Sequence, residues 1–212
     1  MNARSNRWWI LTPQGALRAF SSPEPDAEAR ALQGLLTSDR ALDEAAFLAR
    51  SGVTVAWLDA AAEAGWVESL PRPLLGPDAR LDDFLQHVIP SLSGVRRAVL
   101  ASDGGFCLGA CGLAPDEAEA LSVAAADFGA YAERQQRRGW GGARGFVSFH
   151  SDPEFLLPNW SFVPLWVDGN GYWLIVGGEP LLNNAALVEL LWGLKLAGER
   201  YSAASAQSGP KP

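Results

Sequence analysis

The stretch LSGVRRAVLASDGGFCLGAC, residues 92–111, decides the fold of this chain. It contains two predicted strands, residues 95–101, whose apolar run begins at Ala98, and residues 106–111, on either side of the sequence SDGG at residues 102–105. Apolar runs of this length separated by a glycine-rich polar turn are typical of a β-hairpin. We therefore predict two antiparallel strands joined by that turn.

Helix and strand patterns continue on both sides of the hairpin. Apolar residues spaced at i, i+3, i+4, i+7, i+8 and i+11 predict an amphipathic helix from Leu81 to about Ile89, just before Pro90. After the hairpin, Pro115 begins a long helix that continues to about Arg134. Strands at residues 145–150, 160–167 and 172–176 and a closing helix at residues 181–200 follow. The predicted order is αββαβββα.

The strand at residues 160–167 is apolar on both of its faces. Trp160, Phe162, Pro164 and Trp166 alternate with Val163, Leu165 and Val167. Residues 172–176 are also apolar on both faces. Strands of this kind need cover above and below, so we expect helices on both sides of the sheet.

Residues 81–201 resemble the Roadblock/dynein light-chain domain. Residues 92–105 look like the opening of that family, "L…GV..AVL…DG", and the segment that follows LAPDE, residues 113–117, is similar to its alanine-rich second helix. The resemblance implies an α+β fold with a five-stranded antiparallel sheet in the order αββαβββα. Domains of this family are rarely enzymes, and they form homodimers that bind small Ras-like GTPases or serve as scaffold subunits. Bacterial members are partners of polarity GTPases.

The resemblance also implies a mode of self-association. In the family, two sheets join at their third strands, here residues 145–150, while the second helices of the two chains pack side by side. The positions of this sequence that would form the dimer interface are Val123, Ala124, Asp127, Tyr131, Phe146, Val147 and Phe149. The many small side chains of the second helix agree with close helix packing, although a helix packed on the sheet of its own chain would need them too. The implied function is a non-enzymatic adaptor or regulator of a small GTPase, or of a related signalling or motility complex, with a GTPase-activating or a scaffold role.

Residues 1–68 predict a small winged-helix-like domain. Two short strands, residues 7–11 and 16–20, precede three helical patterns and a strand that begins at Trp66. The helices are predicted at residues 26–36, 42–50 and 55–64. Two helices, a short turn with glycine, a third helix and the strand of a wing follow one another in a winged helix. Residues 69–80, rich in proline, predict a linker, and the small polar residues 202–212 predict a disordered tail.

A winged helix raises the alternative of a transcription regulator that binds DNA. The third predicted helix would read the bases, yet it carries Asp59 and Glu63 and no Lys or Arg. The whole chain has a net charge of −7 at pH 7. Phosphate contacts supply much of the affinity of DNA-binding modules, so the charge makes nucleic acid an unlikely partner and favours protein contact.

Residues with catalytic chemistry are few. Of the two histidines, His87 lies off the apolar stripe of its helix, and His150 stands near Asp152, which could orient it as a base; the alternative is a histidine on a surface loop. Cys107 and Cys111 fall about 13 Å apart in one strand, too far for a disulfide, and have no nearby partner for a zinc site. We expect no enzyme activity, no cofactor and no metal.

The glycine-rich stretch at residues 139–145 does not match a phosphate-binding loop, because it lacks the Lys-Ser/Thr ending and leads into a strand. The sequence contains no run long enough to span a membrane and begins without the apolar core of a signal peptide. We therefore expect a cytoplasmic protein.

A basic cluster follows the second helix of the resembling region. Its members are Arg134, Arg137, Arg138 and Arg144, together with Trp140. Exposed Arg and Trp are enriched at protein interfaces, so the cluster is a candidate partner surface. The alternative is a solvated helix end whose charges complement the helix dipole.

Overall fold

The first half of the chain forms a three-stranded sheet with four helices in the computed structural model. The residues that the structure describes are 7–141, 145–151, 154 and 156–207. The elements are β1 (Trp8–Leu11), α1 (Pro13–Phe20), α2 (Ala27–Gln33), β2 (Leu42–Asp43), α3 (Glu44–Ser51), α4 (Val55–Glu63) and β3 (Val67–Leu70). A 3-10 turn, Gly34–Leu36, extends α2. The strands are antiparallel in the order β2-β1-β3.

The predicted strand at residues 16–20 is wrong, because these residues belong to α1. The hydroxyl of Thr12 accepts a hydrogen bond from the backbone N–H of Gly15 at 3.0 Å, and Pro13 occupies the first helical position. Ala16, Ala19 and Phe20 are buried at helical spacing. A capped start and a period of three to four residues together favour a helix over a strand.

Three helices and a following strand occur in the predicted order at residues 27–70. Leu42 and Asp43 form the short strand β2 rather than the start of a helix, since Asp43 caps α3 and accepts a hydrogen bond from Ala46 N–H at 2.8 Å. The central strand of the sheet is β1, from the start of the described chain, rather than a strand returning from a wing. The winged-helix assignment stays a prediction.

The second half of the chain forms a five-stranded antiparallel sheet. Its elements are α5 (Leu81–Val88), β4 (Ala98–Ser102), β5 (Cys107–Cys111), α6 (Pro115–Arg137), β6 (Val147–Phe149), β7 (Trp160–Val167), β8 (Asn170–Gly177) and α7 (Ala185–Gln207). The order αββαβββα and the α+β class are as predicted. The strands lie in the order β5-β4-β8-β7-β6, and β4 pairs with β5 as the expected hairpin. Both cysteines lie in β5 as free thiols.

Helix α7 continues to Gln207, beyond the predicted end near Arg200. The described part of the predicted disordered tail, residues 202–207, is therefore helical, and residues 208–212 lie outside the described residues. Adding residues to an existing helix is easier than nucleating one, and this segment contains three alanines, the best helix former.

Helices cover both faces of the large sheet, as the strand pattern predicted. Helices α5 and α7 cover one face and α6 covers the other. Strand residues Leu100, Val163, Leu165, Leu174 and Val176 face α5 and α7. Strand residues Val99, Ala101, Phe162, Trp173 and Ile175 face α6.

The two halves of the chain share one hydrophobic core. Phe20, Leu36 and Phe47 from the first half belong to the same buried cluster as Leu187 and Trp192 from α7. The Nε1 of Trp192 also donates a hydrogen bond to the backbone oxygen of Ser38 at 2.7 Å. Gly76, within the predicted linker, lies against the indole of Trp192, where an added Cβ would come within 2.8 Å of the ring. The predicted domains are thus packed through a continuous core.

Within the described chain, no helix is both long and apolar enough to cross a membrane.

Candidate interaction surface

Large apolar side chains are exposed along α6 and beside β6. We call this set the α6–β6 surface, and it comprises Val123, Asp127 and Tyr131 on α6 with Phe146 and Phe149 at β6. The exposed fractions are 57% for Val123, 45% for Tyr131, 51% for Phe146 and 46% for Phe149. Several exposed large apolar side chains on neighbouring elements are typical of an interaction site.

Strand β6 lies at an edge of the large sheet. It pairs on one side with β7, through Val147 with Phe162 and Phe149 with Trp160, and has no strand on its other side among the described residues. An edge strand presents unpaired backbone N–H and C=O groups that another strand can join. The α6–β6 surface therefore combines exposed apolar side chains with a sheet edge that no other described strand joins.

Aromatic packing joins β6 to α6. The ring centroid of Phe149 lies 5.4 Å from that of Phe128 on α6 and 5.9 Å from that of Phe162 on β7. Phe128 and Phe162 are in edge-to-face contact at 4.9 Å. The sequence prediction omitted Phe128, although its apolar side chain on α6 was a signal for packing. Phe128 therefore connects β6 to the side of α6 that packs on the sheet.

The remaining predicted interface residues lie deeper. Ala124 and Val147 are partly buried and pack against the α6 side of the sheet core. Phe106, which the prediction did not include, is 74% exposed at the β4–β5 turn. That turn packs on α6, since a Cβ at Gly105 would lie 3.2 Å from the Cβ of Ala126. Phe106 therefore extends the exposed apolar area next to α6.

The predicted basic cluster lies at the carboxyl end of α6. Arg134, Arg137 and Arg138 are exposed, as is Trp140. The backbone N–H of Trp140 donates to the oxygen of Gln135 at 3.0 Å, which holds this residue against the last turn. Arg144 lies outside the described residues. The structure thus brings four of the five predicted residues to one helix end.

A groove of about 430 Å³ lies between α6 and the ends of β7 and β8. Its wall includes Trp166 and Trp173, and its rim includes the carboxylates of Glu24, Asp103 and Glu133. Burial raises the pKa of the nearby Tyr172 hydroxyl, and the negative charges of Asp168 and Asp103 raise it further. No sequence motif predicted this groove, because its residues come from six separate segments of the chain.

Groups with catalytic potential are scattered. His87 is exposed, with Nδ1 2.6 Å from the backbone oxygen of Asp83. His150 is also exposed, and its predicted companion Asp152 lies outside the described residues. Among the residues described, no three His, Cys, Asp or Glu side chains group as metal ligands would. On α4, the predicted DNA-reading helix, Asp59 and Glu63 are both exposed.

Comparison of the sequence with known proteins assigns it to no family. No protein-family model matches the sequence, and no curated protein matches it. Among solved structures, the chain is similar to a Roadblock/LC7 domain from Streptomyces avermitilis, with 18% sequence identity and a TM-score of 0.38. The match covers 59% of this chain and 99% of that domain.

Proposed function

We propose that the protein is a non-enzymatic adaptor that forms a homodimer through the α6–β6 surface and binds a small Ras-like GTPase or a related signalling or motility complex. The observation that carries the proposal is the set of exposed apolar side chains on α6 and β6, beside a sheet edge that has no further strand among the described residues. The class of partner rests on the resemblance of residues 81–201 to the Roadblock domain, and the basic end of α6 is the proposed partner surface.

Strand pairing supports a homodimer. Two copies of β6 can join edge to edge, and each then completes the other's hydrogen bonding while Phe149 and α6 of both chains come together. A twofold axis places the same surface on both partners, and this is the commonest geometry of homo-oligomers.

The charge pattern of α6 is self-complementary. The helix begins with Asp116, Glu117 and Glu119 and ends with Arg134 and Arg137. If two α6 helices pack antiparallel, the acidic start of each lies beside the basic end of the other. Opposite charges in this arrangement favour one register, and salt weakens their contribution.

The dimer is tested by sedimentation equilibrium of Val123→Glu. A carboxylate at this exposed position cannot be buried in an apolar interface without a large cost, so we expect the dimer dissociation constant to rise by about a hundredfold. Leu75→Glu is the matched control, since Leu75 is 72% exposed but lies away from α6. A monomeric wild-type protein at micromolar concentration, or an unchanged Val123→Glu dimer, would contradict the proposal.

The partner class is tested by affinity capture from native cell extract loaded with GDP or with a GTP analogue. We expect the wild-type protein to retain a Ras-like GTPase in one nucleotide state only, identified by mass spectrometry. The variant with alanine at Arg137, Arg138 and Trp140 should lose the GTPase while remaining folded and dimeric. Recovery of no GTPase by the wild-type protein, or equal recovery by the variant, counts against this partner.

A further inference from the structure

The groove between α6 and the sheet end has aromatic walls. Trp166 on β7 and Trp173 on β8 both line it, and the antiparallel register places Trp166 opposite Gly171 and Trp173 opposite Pro164. We call this space the acidic-aromatic groove, defined by Trp166, Trp173, Glu24, Asp103 and Glu133. Indole faces attract cations because their π electrons carry negative charge above the ring.

Small residues of α6 keep the groove open. Ala126, Gly129 and Ala130 line its helical side. A Cβ at position 129 would lie 3.7 Å from both Cζ2 and Nε1 of Trp173, which is an ordinary contact distance. Alanine would therefore fit here, and glycine inside a helix costs about 1 kcal/mol relative to alanine. Trp173 itself is 6% exposed and belongs to the sheet core, so the half-buried Trp166 is the indole that a ligand in the groove could reach.

The rim of the groove is negative. Glu24, Asp103 and Glu133 come from three separate segments, and none takes part in the ion pairs found among the described residues. Those pairs join Arg18, Arg40, Arg97 and Lys195 to other carboxylates.

We propose that the acidic-aromatic groove binds an arginine side chain presented by a segment of a partner protein. A guanidinium group is planar, stacks on an indole and donates several hydrogen bonds to carboxylates at once. The groove offers both kinds of contact, since the half-buried indole of Trp166 and three exposed acidic residues line the same space. The negative charge of the groove complements the positive charge of the guanidinium group.

The groove continues onto the proposed dimer surface, which favours a protein as the source of the arginine. Ala130 lines the groove and is exposed next to Tyr131 of the α6–β6 surface. A bound segment can therefore place its arginine in the groove and leave its backbone at the mouth beside Ala130. The inference rests on the proposed adaptor role only in taking the ligand from a protein partner, and it does not require the dimer.

The test uses the full chain labelled with ¹⁵N and the peptide acetyl-Gly-Ser-Gly-Arg-Gly-Ser-Gly-amide as probe. Titration should shift the indole N–H signals of Trp166 and Trp173, which are assigned with Trp166→Phe and Trp173→Phe. The same peptide with citrulline in place of arginine keeps the shape and loses the charge. We expect the citrulline peptide to bind at least about tenfold more weakly, because hydrogen bonds to charged groups are the stronger kind.

Two sets of variants locate the binding site. The double variant Asp103→Asn, Glu133→Gln should bind the arginine peptide about tenfold more weakly. The control double variant Glu63→Gln, Glu68→Gln changes the net charge equally but away from the groove, and its affinity for the peptide should be unchanged. Gly129→Leu should abolish binding by filling the groove, and Gly129→Ala, which fits at contact distance, should reduce it with the fold intact. Thermal unfolding of each variant verifies the fold.

Three results would overturn the inference. They are equal binding of the citrulline peptide, unchanged binding by the Asp103 and Glu133 double variant, and binding of free arginine as tight as that of the peptide, which would indicate a small-molecule site. Sedimentation of the same samples reports the dimer separately. The peptide titration and the sedimentation experiment therefore test arginine binding and dimer formation separately.

Discussion

Asp168 and Lys195 form an ion pair whose two members differ in exposure. The side chain of Lys195 on α7 is 7% exposed, whereas that of Asp168 is 43% exposed. Asp168 and Gly169 form the two-residue turn between β7 and β8, with φ of 50° and 82°. Positive φ at both positions is typical of a type I′ turn. The pair thus ties this turn to a helix on one face of the sheet.

We expect Asp168→Asn to destabilise the protein more than Lys195→Met does. Asparagine tolerates the positive φ of the turn but leaves the buried ammonium without a counter-charge, at a cost of about 3 kcal/mol. Methionine removes the buried charge, and the remaining carboxylate reaches water, so the cost should be about 1 kcal/mol. Urea denaturation measures both values. The reverse order would show that losing the Lys195 side chain costs more than leaving its ammonium without a counter-charge.

Two of the interface residues that the family resemblance implied are exposed in the structure, while the interface itself stays a prediction. Val123 and Tyr131 were predicted to lie at an interface and are exposed on one side of α6. Phe128, five residues after Val123, turns toward β6 instead and contacts Phe149. Helical period alone does not say which strand end lies beneath a helix, so this contact could not be predicted.

At the scale of elements, Thr12 shows how one side chain can decide between strand and helix. Its hydroxyl accepts a hydrogen bond from Gly15 N–H at 3.0 Å and donates one to the backbone oxygen of Gly65 at 2.5 Å. Thr54, the cap of α4, accepts only from Trp57 N–H, at 3.2 Å. Thr12 therefore both starts α1 and ties it to the loop before β3.

We expect Thr12→Ala to lower the free energy of unfolding by about 2 kcal/mol and Thr54→Ala by about 1 kcal/mol. Both variants lose a helix cap, but only the first leaves a carbonyl oxygen in the loop without its donor. Chemical denaturation followed by circular dichroism compares the two. Equal losses would mean that the bond to Gly65 adds nothing to the cap.

For the whole molecule, the shared core is the main organising feature. Trp192 of α7 is buried among residues of both halves and bonds to Ser38. Removing either half would expose a large part of the apolar surface that the other half covers. Exposure of this surface is costly, so the stability of each half depends on the other.

We expect residues of both halves to unfold together in one transition. The far-ultraviolet circular dichroism and tryptophan fluorescence curves should coincide in urea, and the calorimetric and van't Hoff enthalpies should agree. Trp192→Ala should destabilise both halves equally, because it leaves a cavity where they meet. Two separate transitions would show that the halves are independently stable domains, as the proline-rich segment between them suggested.

The bounds of several helices and strands could be predicted from the sequence. The strand at residues 160–167 and the start of α6 at Pro115 have the expected bounds, and the β4–β5 hairpin has the expected turn. Alternation, proline placement and glycine-rich turns act between neighbouring residues. Their effects are therefore contained in short stretches of sequence.

Contacts between distant segments were settled by the tertiary structure. Only the folded chain places β1 between β2 and β3, leaves β6 at a sheet edge, and brings Glu24, Asp103 and Glu133 around two tryptophans. These arrangements depend on which apolar faces bury each other most completely, and residues far apart in sequence contribute to that free energy together. No short stretch of the sequence contains all the residues that contribute to this free energy.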